Sequence, residues 1–173
     1  MKRILGLSLL LSSMSVFSAT NEALEQDIRS YSVLHGVSTG EANKALFLEA
    51  NRDSALDAIE KEFKGRISGI YIENSPTYKV VVRVKGYGTN QKRNFTVGNA
   101  ISKSNLPIEI QYGATETREV AKGQINKAQN LVKGYFNNIQ TVSYNEKSGK
   151  IVVEVKGNST ADNLKKADVV INE

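Results

Sequence analysis

The chain has 173 residues, a formal net charge of +5, no cysteine and a single histidine. These counts exclude disulfides, thiolate metal sites, cysteine nucleophiles and histidine-rich metal centres. The length suits one domain or two small ones. The basic pairs Lys92-Arg93 and Lys165-Lys166 read as solvated surface charge, because no aromatic residues interleave with them as in a nucleic-acid groove.

Met1-Lys2-Arg3 is a short basic start, Ile4 to Leu11 is apolar, and small residues lead to Ser18-Ala19. That three-part layout is a secretory signal, residues 1–19, with cleavage expected near Ser18-Ala19. The expected location is therefore periplasmic or secreted. The apolar run falls short of the ~20 residues that span a bilayer. No later segment is apolar enough, so no membrane insertion is expected after cleavage. Cleavage removes two positive charges, Lys2 and Arg3.

Asn21 to Leu34 reads as a helix with Leu24, Ile28 and Tyr31 on one face, ended by His35-Gly36. Ser38 and Glu41 fit a capping box. The helix they start is expected to reach Phe63, with Asn51-Arg52-Asp53-Ser54 as a point of bending or breakage. Its apolar face carries Ala42, Ala45, Leu46, Leu48, Ala55, Leu56, Ile59 and Phe63. Ile67–Glu73 and Tyr78–Lys85 then alternate as strands, separated by the turn Asn74-Ser75-Pro76-Thr77. Residues 20–86 are thus expected to form a first helix-and-hairpin unit.

Tyr87 to Asn105 is polar and rich in glycine and asparagine, and reads as a linker, 87–105, with room for a short strand at Asn94–Val97. The second unit is expected at 106–173. It holds a strand at Pro107–Tyr112, a long helix at Thr115–Phe136, and a hairpin of Ile139–Asn145 with Lys150–Lys156. A short helix at Asn158–Lys166 and a strand at Asp168–Asn172 would close it. Gly123 and Gly134 weaken its helix by ~1 kcal/mol each relative to alanine. The fold class is therefore α+β, two related helix-plus-antiparallel-hairpin units. Lys79 to Gly86 aligns without gaps to Lys150 to Gly157, and Asn74 aligns to Asn145, which reads as an internal duplication.

No catalytic group emerges. A Ser-His-Asp triad needs a base beside its nucleophile, and the sole histidine, His35, sits at a helix end where it meets free carbonyls and the dipole. No Gly-x-Ser-x-Gly elbow occurs. Glu60 and Glu62 point apart on a helix. Glu116 and Glu119 lie near a helix N-terminus, where acids are favoured without catalysis. No cofactor is implied, and no enzyme activity is expected.

Gly36-Val37-Ser38 with Glu41-Ala42, Leu46 to Glu49, Phe63, Gly69 to Glu73 and Pro76-Thr77-Tyr78 running into Lys79 to Val84 form one specific pattern. It resembles the N-terminal pro-domain of the alpha-lytic protease and streptogrisin family. Pro107 to Ile110, the following helix and the Val142 to Val155 hairpin resemble that family's C-terminal pro-domain. The resemblance covers roughly residues 25 to 173. It implies a non-catalytic partner of a secreted chymotrypsin-like serine protease, acting as foldase, inhibitor or both. It also implies strand pairing through Val142, Ser143, Tyr144 or Ile151, Val153, Val155, and a tail of Val169, Val170, Ile171, Asn172 and Glu173 lying in the protease cleft. In the family a protease domain follows the pro-region, whereas this sequence stops at Glu173. A free-standing pro-region homologue and a fragment of a longer precursor are both open. The alternative function is a periplasmic protein- or peptide-binding module with no protease partner.

Overall fold

The structure, a computed structural model, describes residues 14–156, with side chains from residue 21 onward. The apolar run of the signal, the expected elements at Asn158–Lys166 and Asp168–Asn172, and the tail from Val169 to Glu173 lie outside these residues.

Helix α1 (Met14–His35) contains the expected segment and extends upstream of it. Its C-terminal half lies against α2, with Ile28 and Tyr31 on the core. Gly36, at φ 64°, takes the left-handed position that ends α1. Helix α2 (Thr39–Ala50) begins with the predicted capping box: Glu41 N–H donates to Ser38 Oγ at 3.2 Å, and Ser38 N–H donates to Glu41 Oε2 at 2.9 Å. The helix expected to reach Phe63 is divided at the point of breakage the sequence offers, for α3 (Asp53–Glu62) starts anew after Asn51-Arg52. Asn51 supplies the stop, its side-chain amide donating to Phe47 O at 2.8 Å.

Strands β1 (Ile67–Glu73) and β2 (Lys79–Lys85) pair antiparallel as expected. The chain then departs from the linker reading. Residues 87–105 hold strand β3 (Gln91–Gly98) and the start of β4 (Lys103–Ala114). The order in the sheet is β1-β2-β4-β3, with β4 parallel to β2 and antiparallel to β3. Pro107–Tyr112, expected to open the second unit, is therefore an inner strand of the first sheet. The reason is a one-sided burial pattern. Phe95 and Val97 face the helices, while Lys92, Asn94 and Thr96 alternate outward, so the strand is polar overall yet still half-buried. Arg93 also faces inward, its guanidinium over the Phe63 ring and paired with Glu62 at 2.7 Å.

The main core lies between the helices and one face of this sheet. Leu48, Ile59 and Phe63 meet Val80, Val82, Val84, Leu106, Ile108 and Ile110 there. Burying each such side chain contributes ~1.5–3 kcal/mol. The other face is charged and is covered in part by residues 146–149. Lys79 bridges Glu73 (3.0 Å) and Glu109 (2.7 Å), and Gln111 donates to Glu109 at 2.8 Å. Val81, in register with Tyr71 and Glu109, is wholly buried on that face.

The long helix expected over Thr115–Phe136 is also divided. Helix α4 (Arg118–Gly123), capped by Thr117 Oγ1, is followed by α5 (Ile125–Val132) across Gln124. Gly123 at the junction supplies the weak point that the sequence marks. Strands β5 (Ile139–Asn145) and β6 (Lys150–Val155) form a separate two-stranded sheet. The fold is α+β.

Aligned repeat positions take different roles. β2 is central in four strands, whereas β6 pairs with β5 alone among the described residues. Asn74 Oδ1 accepts Tyr31 Oη–H at 3.0 Å, while Asn145 Oδ1 accepts the N–H groups of Lys147 and Ser148 within its own turn.

Candidate functional site

The β5–β6 hairpin holds the six residues named from the sequence for strand pairing, and the tail residues Val169 to Glu173 lie outside the described residues. Val142 stands opposite Val153, Tyr144 opposite Ile151, Ser143 opposite Val152, and Val155 opposite Ile139. By strand alternation, Val142, Tyr144, Ile151, Val153 and Val155 share one face, and Ser143 points to the other. The shared face is turned inward. Val142, Val153 and Val155 pack with Ile139 on Val132 and Phe136, a second apolar cluster distinct from the main core. Tyr144 reaches β1, donating its hydroxyl proton to Ser68 O at 2.7 Å, with Ser68 Oγ 3.2 Å away. These side chains hold the hairpin in place.

The turn between the strands, residues 146–149, does the docking. Glu146 Oε2 accepts the Ile70 N–H at 2.8 Å, and its Oε1 accepts from Lys122 Nζ at 3.2 Å. Its backbone carbonyl accepts from Arg83 at 3.2 Å. Lys147 Nζ lies over the Tyr71 ring, 5.6 Å from its centroid. Two glycines permit this approach. A Cβ on Gly69 would stand 2.3 Å from the Glu146 carbonyl oxygen, and one on Gly149 would overlap the Arg83 guanidinium. Nothing in spacing or motif marks Gly69, Arg83 or Glu146 in advance, because the contacts join positions far apart in sequence. Behind the turn lies a cleft of about 140 Å³ lined by Ser68, Arg83, Glu116, Gln124, Tyr144 and Lys150, among others.

Each carboxylate weighed for acid–base chemistry has a cation for a neighbour. Glu60 pairs with Arg118 at 2.9 Å, Glu62 with Arg93, Glu116 with Lys85 at 3.1 Å, and Glu119 with Arg118 at 3.1 Å. Hydrogen bonding from Arg93 holds Glu62 below the usual carboxylate range. Backbone hydrogen bonding at its own N–H, with help from Arg118, does the same for Glu119. His35 closes α1 and tilts against Tyr31, ring centroids 4.3 Å apart. Among the described residues no group of three or more His, Asp or Glu side chains could hold a metal ion, and no helix is long and apolar enough to cross a membrane.

The chain matches no protein-family model, and no curated protein matches it at a significant level.

Proposed function

We propose that this chain is a non-catalytic binding protein that engages a secreted chymotrypsin-like serine protease, as foldase, inhibitor or both, by strand addition to the β5–β6 hairpin. The observation that carries the reading is the hairpin itself. It is a two-stranded sheet whose strands pair only with each other among the described residues. Such a sheet is marginal alone, and it is held by an inward apolar face and a docked turn, which leaves outer backbone groups for a partner. Strand addition draws its affinity from such groups and needs no free side chains. The resemblance of residues 25 to 173 to the alpha-lytic protease and streptogrisin pro-regions supplies the partner class.

The mechanism follows from binding differences. A partner that binds the transition state for folding more tightly than the unfolded chain speeds folding, and tight binding to the folded protease inhibits it. The test is to refold alpha-lytic protease from denaturant with and without the full chain, then to assay the native protease with increasing chain. A higher refolding yield or saturable inhibition is expected. Neither effect at micromolar concentrations overturns the reading, and recovery of only non-protease partners from a periplasmic extract favours a general strand-binding module.

A further inference from the structure

β1 is a border strand of the four-stranded sheet, so among the described residues one of its edges has no strand neighbour. Two of its backbone groups on that edge are nevertheless occupied. The Ser68 carbonyl accepts from the Tyr144 hydroxyl at 2.7 Å, and the Ile70 N–H donates to the Glu146 carboxylate at 2.8 Å. Groups two residues apart on one strand point to the same side, at the spacing where an added strand would bond. Tyr144 and Glu146 thus take the place of a strand with two side chains. Ser68 is also the extra residue of a bulge against β2, which twists the edge at the same point.

The two apolar clusters are separate, and the hydrogen bonds that join the hairpin tip to β1 lie beside the 140 Å³ cleft. Glu146 and Lys122 keep 26% and 53% of their side-chain surface exposed. We propose that the tip of the β5–β6 hairpin is a releasable cap on the edge of β1, which closes that edge against strand pairing with a second copy of this chain. Lifting the tip frees the Ser68 carbonyl and the Ile70 N–H together. Two such edges brought antiparallel would then pair through β1. This inference does not depend on the protease reading, and its test uses no protease.

Native-state hydrogen exchange of the full chain, followed by NMR in low urea, reads the cap directly. Ile70 is expected to exchange through a local opening nearly independent of urea, while Val81 and Val82 exchange through larger openings that urea promotes. Glu146→Ala is expected to speed Ile70 exchange by about tenfold with the β2 amides unchanged. Glu146→Gln, which keeps an acceptor oxygen, is expected to stay close to the parent. Sedimentation over a concentration series should show Glu146→Ala shifted toward dimer relative to the parent. Tyr144→Phe removes only the hydroxyl and serves if Glu146→Ala does not fold, with the same shift expected at smaller size. Ile70 exchange unchanged in Glu146→Ala, or accelerated only in step with Val81 and Val82, overturns the cap. Exchange freed without any shift toward dimer overturns its guarding role.

Discussion

Replacing Gly69 with alanine is the sharpest single test of how the second hairpin is seated. The new Cβ would lie 2.3 Å from the Glu146 carbonyl oxygen and 3.0 Å from two more atoms of that residue. The first contact is with backbone, so no side-chain rotation relieves it, and the tip must move. Three junction hydrogen bonds then lengthen or break: Tyr144 to Ser68 O, Ile70 N–H to Glu146, and Arg83 to Glu146 O. At a net ~0.5–1.5 kcal/mol each, their full loss costs about 1.5–4.5 kcal/mol. Alanine in a strand returns about 0.5–1 kcal/mol that glycine forfeits in entropy. The expected net loss is therefore about 0.5–4 kcal/mol, read by urea unfolding under far-ultraviolet circular dichroism. Gly123→Ala is the control, because nothing lies within 4 Å of its Cβ position, and it should gain up to ~1 kcal/mol. If Gly69→Ala is neutral or stabilising while the control behaves as stated, the close docking of the turn is wrong.

Other perturbations address the first sheet and its helices. Ser38→Ala removes the acceptor for Glu41 N–H and should cost ~1 kcal/mol in the same unfolding assay; a loss below the error of the measurement would refute the cap as a stabilising element. Ile59 is wholly buried against the valine face of the sheet, so Ile59→Ala should cost ~2–5 kcal/mol, and a smaller loss would mean a core that collapses around the deletion. Acid should destabilise the fold through depressed carboxylates. Arg93 lowers Glu62, and Lys79 followed by Gln111 lowers Glu109, each from an ordinary 4.5. A depressed group contributes stability above its unfolded value and loses it as pH falls through its folded value. Melting temperatures should thus be little changed by these groups between about pH 7 and pH 5 and should fall below about pH 4.5. Glu109→Gln should lower stability at neutral pH and narrow the gap between neutral and acid; an unchanged gap would refute Glu109's part in it.

Legibility in the sequence followed how local each determinant is. The capping box at Ser38 and Glu41, the turn glycine Gly36, the valine alternation of β2 and the β5–β6 hairpin are all set by neighbours within a few residues, and each stands where the sequence places it. The division of both long helices lay at positions with visible weak points, Asn51-Arg52 and Gly123. β3 was largely hidden, because its outward positions are polar and its inward Arg93 is satisfied by Glu62, a residue far away in sequence. Reading that strand as linker also misassigned β4, whose partners β2 and β3 fix it inside the first sheet. The docking of Glu146 on β1 joins residues 76 apart, and no pattern in either segment announces it.

The strand borders show how differently one chain treats its open edges. β1 carries a bulge at Ser68 and the two side chains from the second hairpin. β3 carries Lys92 and Arg93, and charge on a border strand opposes pairing with another chain. β5 is bulged at its start, where Gln140 is the extra residue, and lies beside α4 and α5. β6, Lys150–Val155, has no bulge of its own, no proline, and two charges of opposite sign, Lys150 and Glu154. Among the described residues it is the border strand with the fewest devices against pairing. If strand addition is the working mode of this chain, β6 is where the partner's strand should lie. A proline at Val153, which removes an N–H and stiffens the strand, should then abolish binding, whereas Lys92→Glu on β3 should leave it intact. Binding that survives the proline in a chain still folded by circular dichroism would move the site elsewhere.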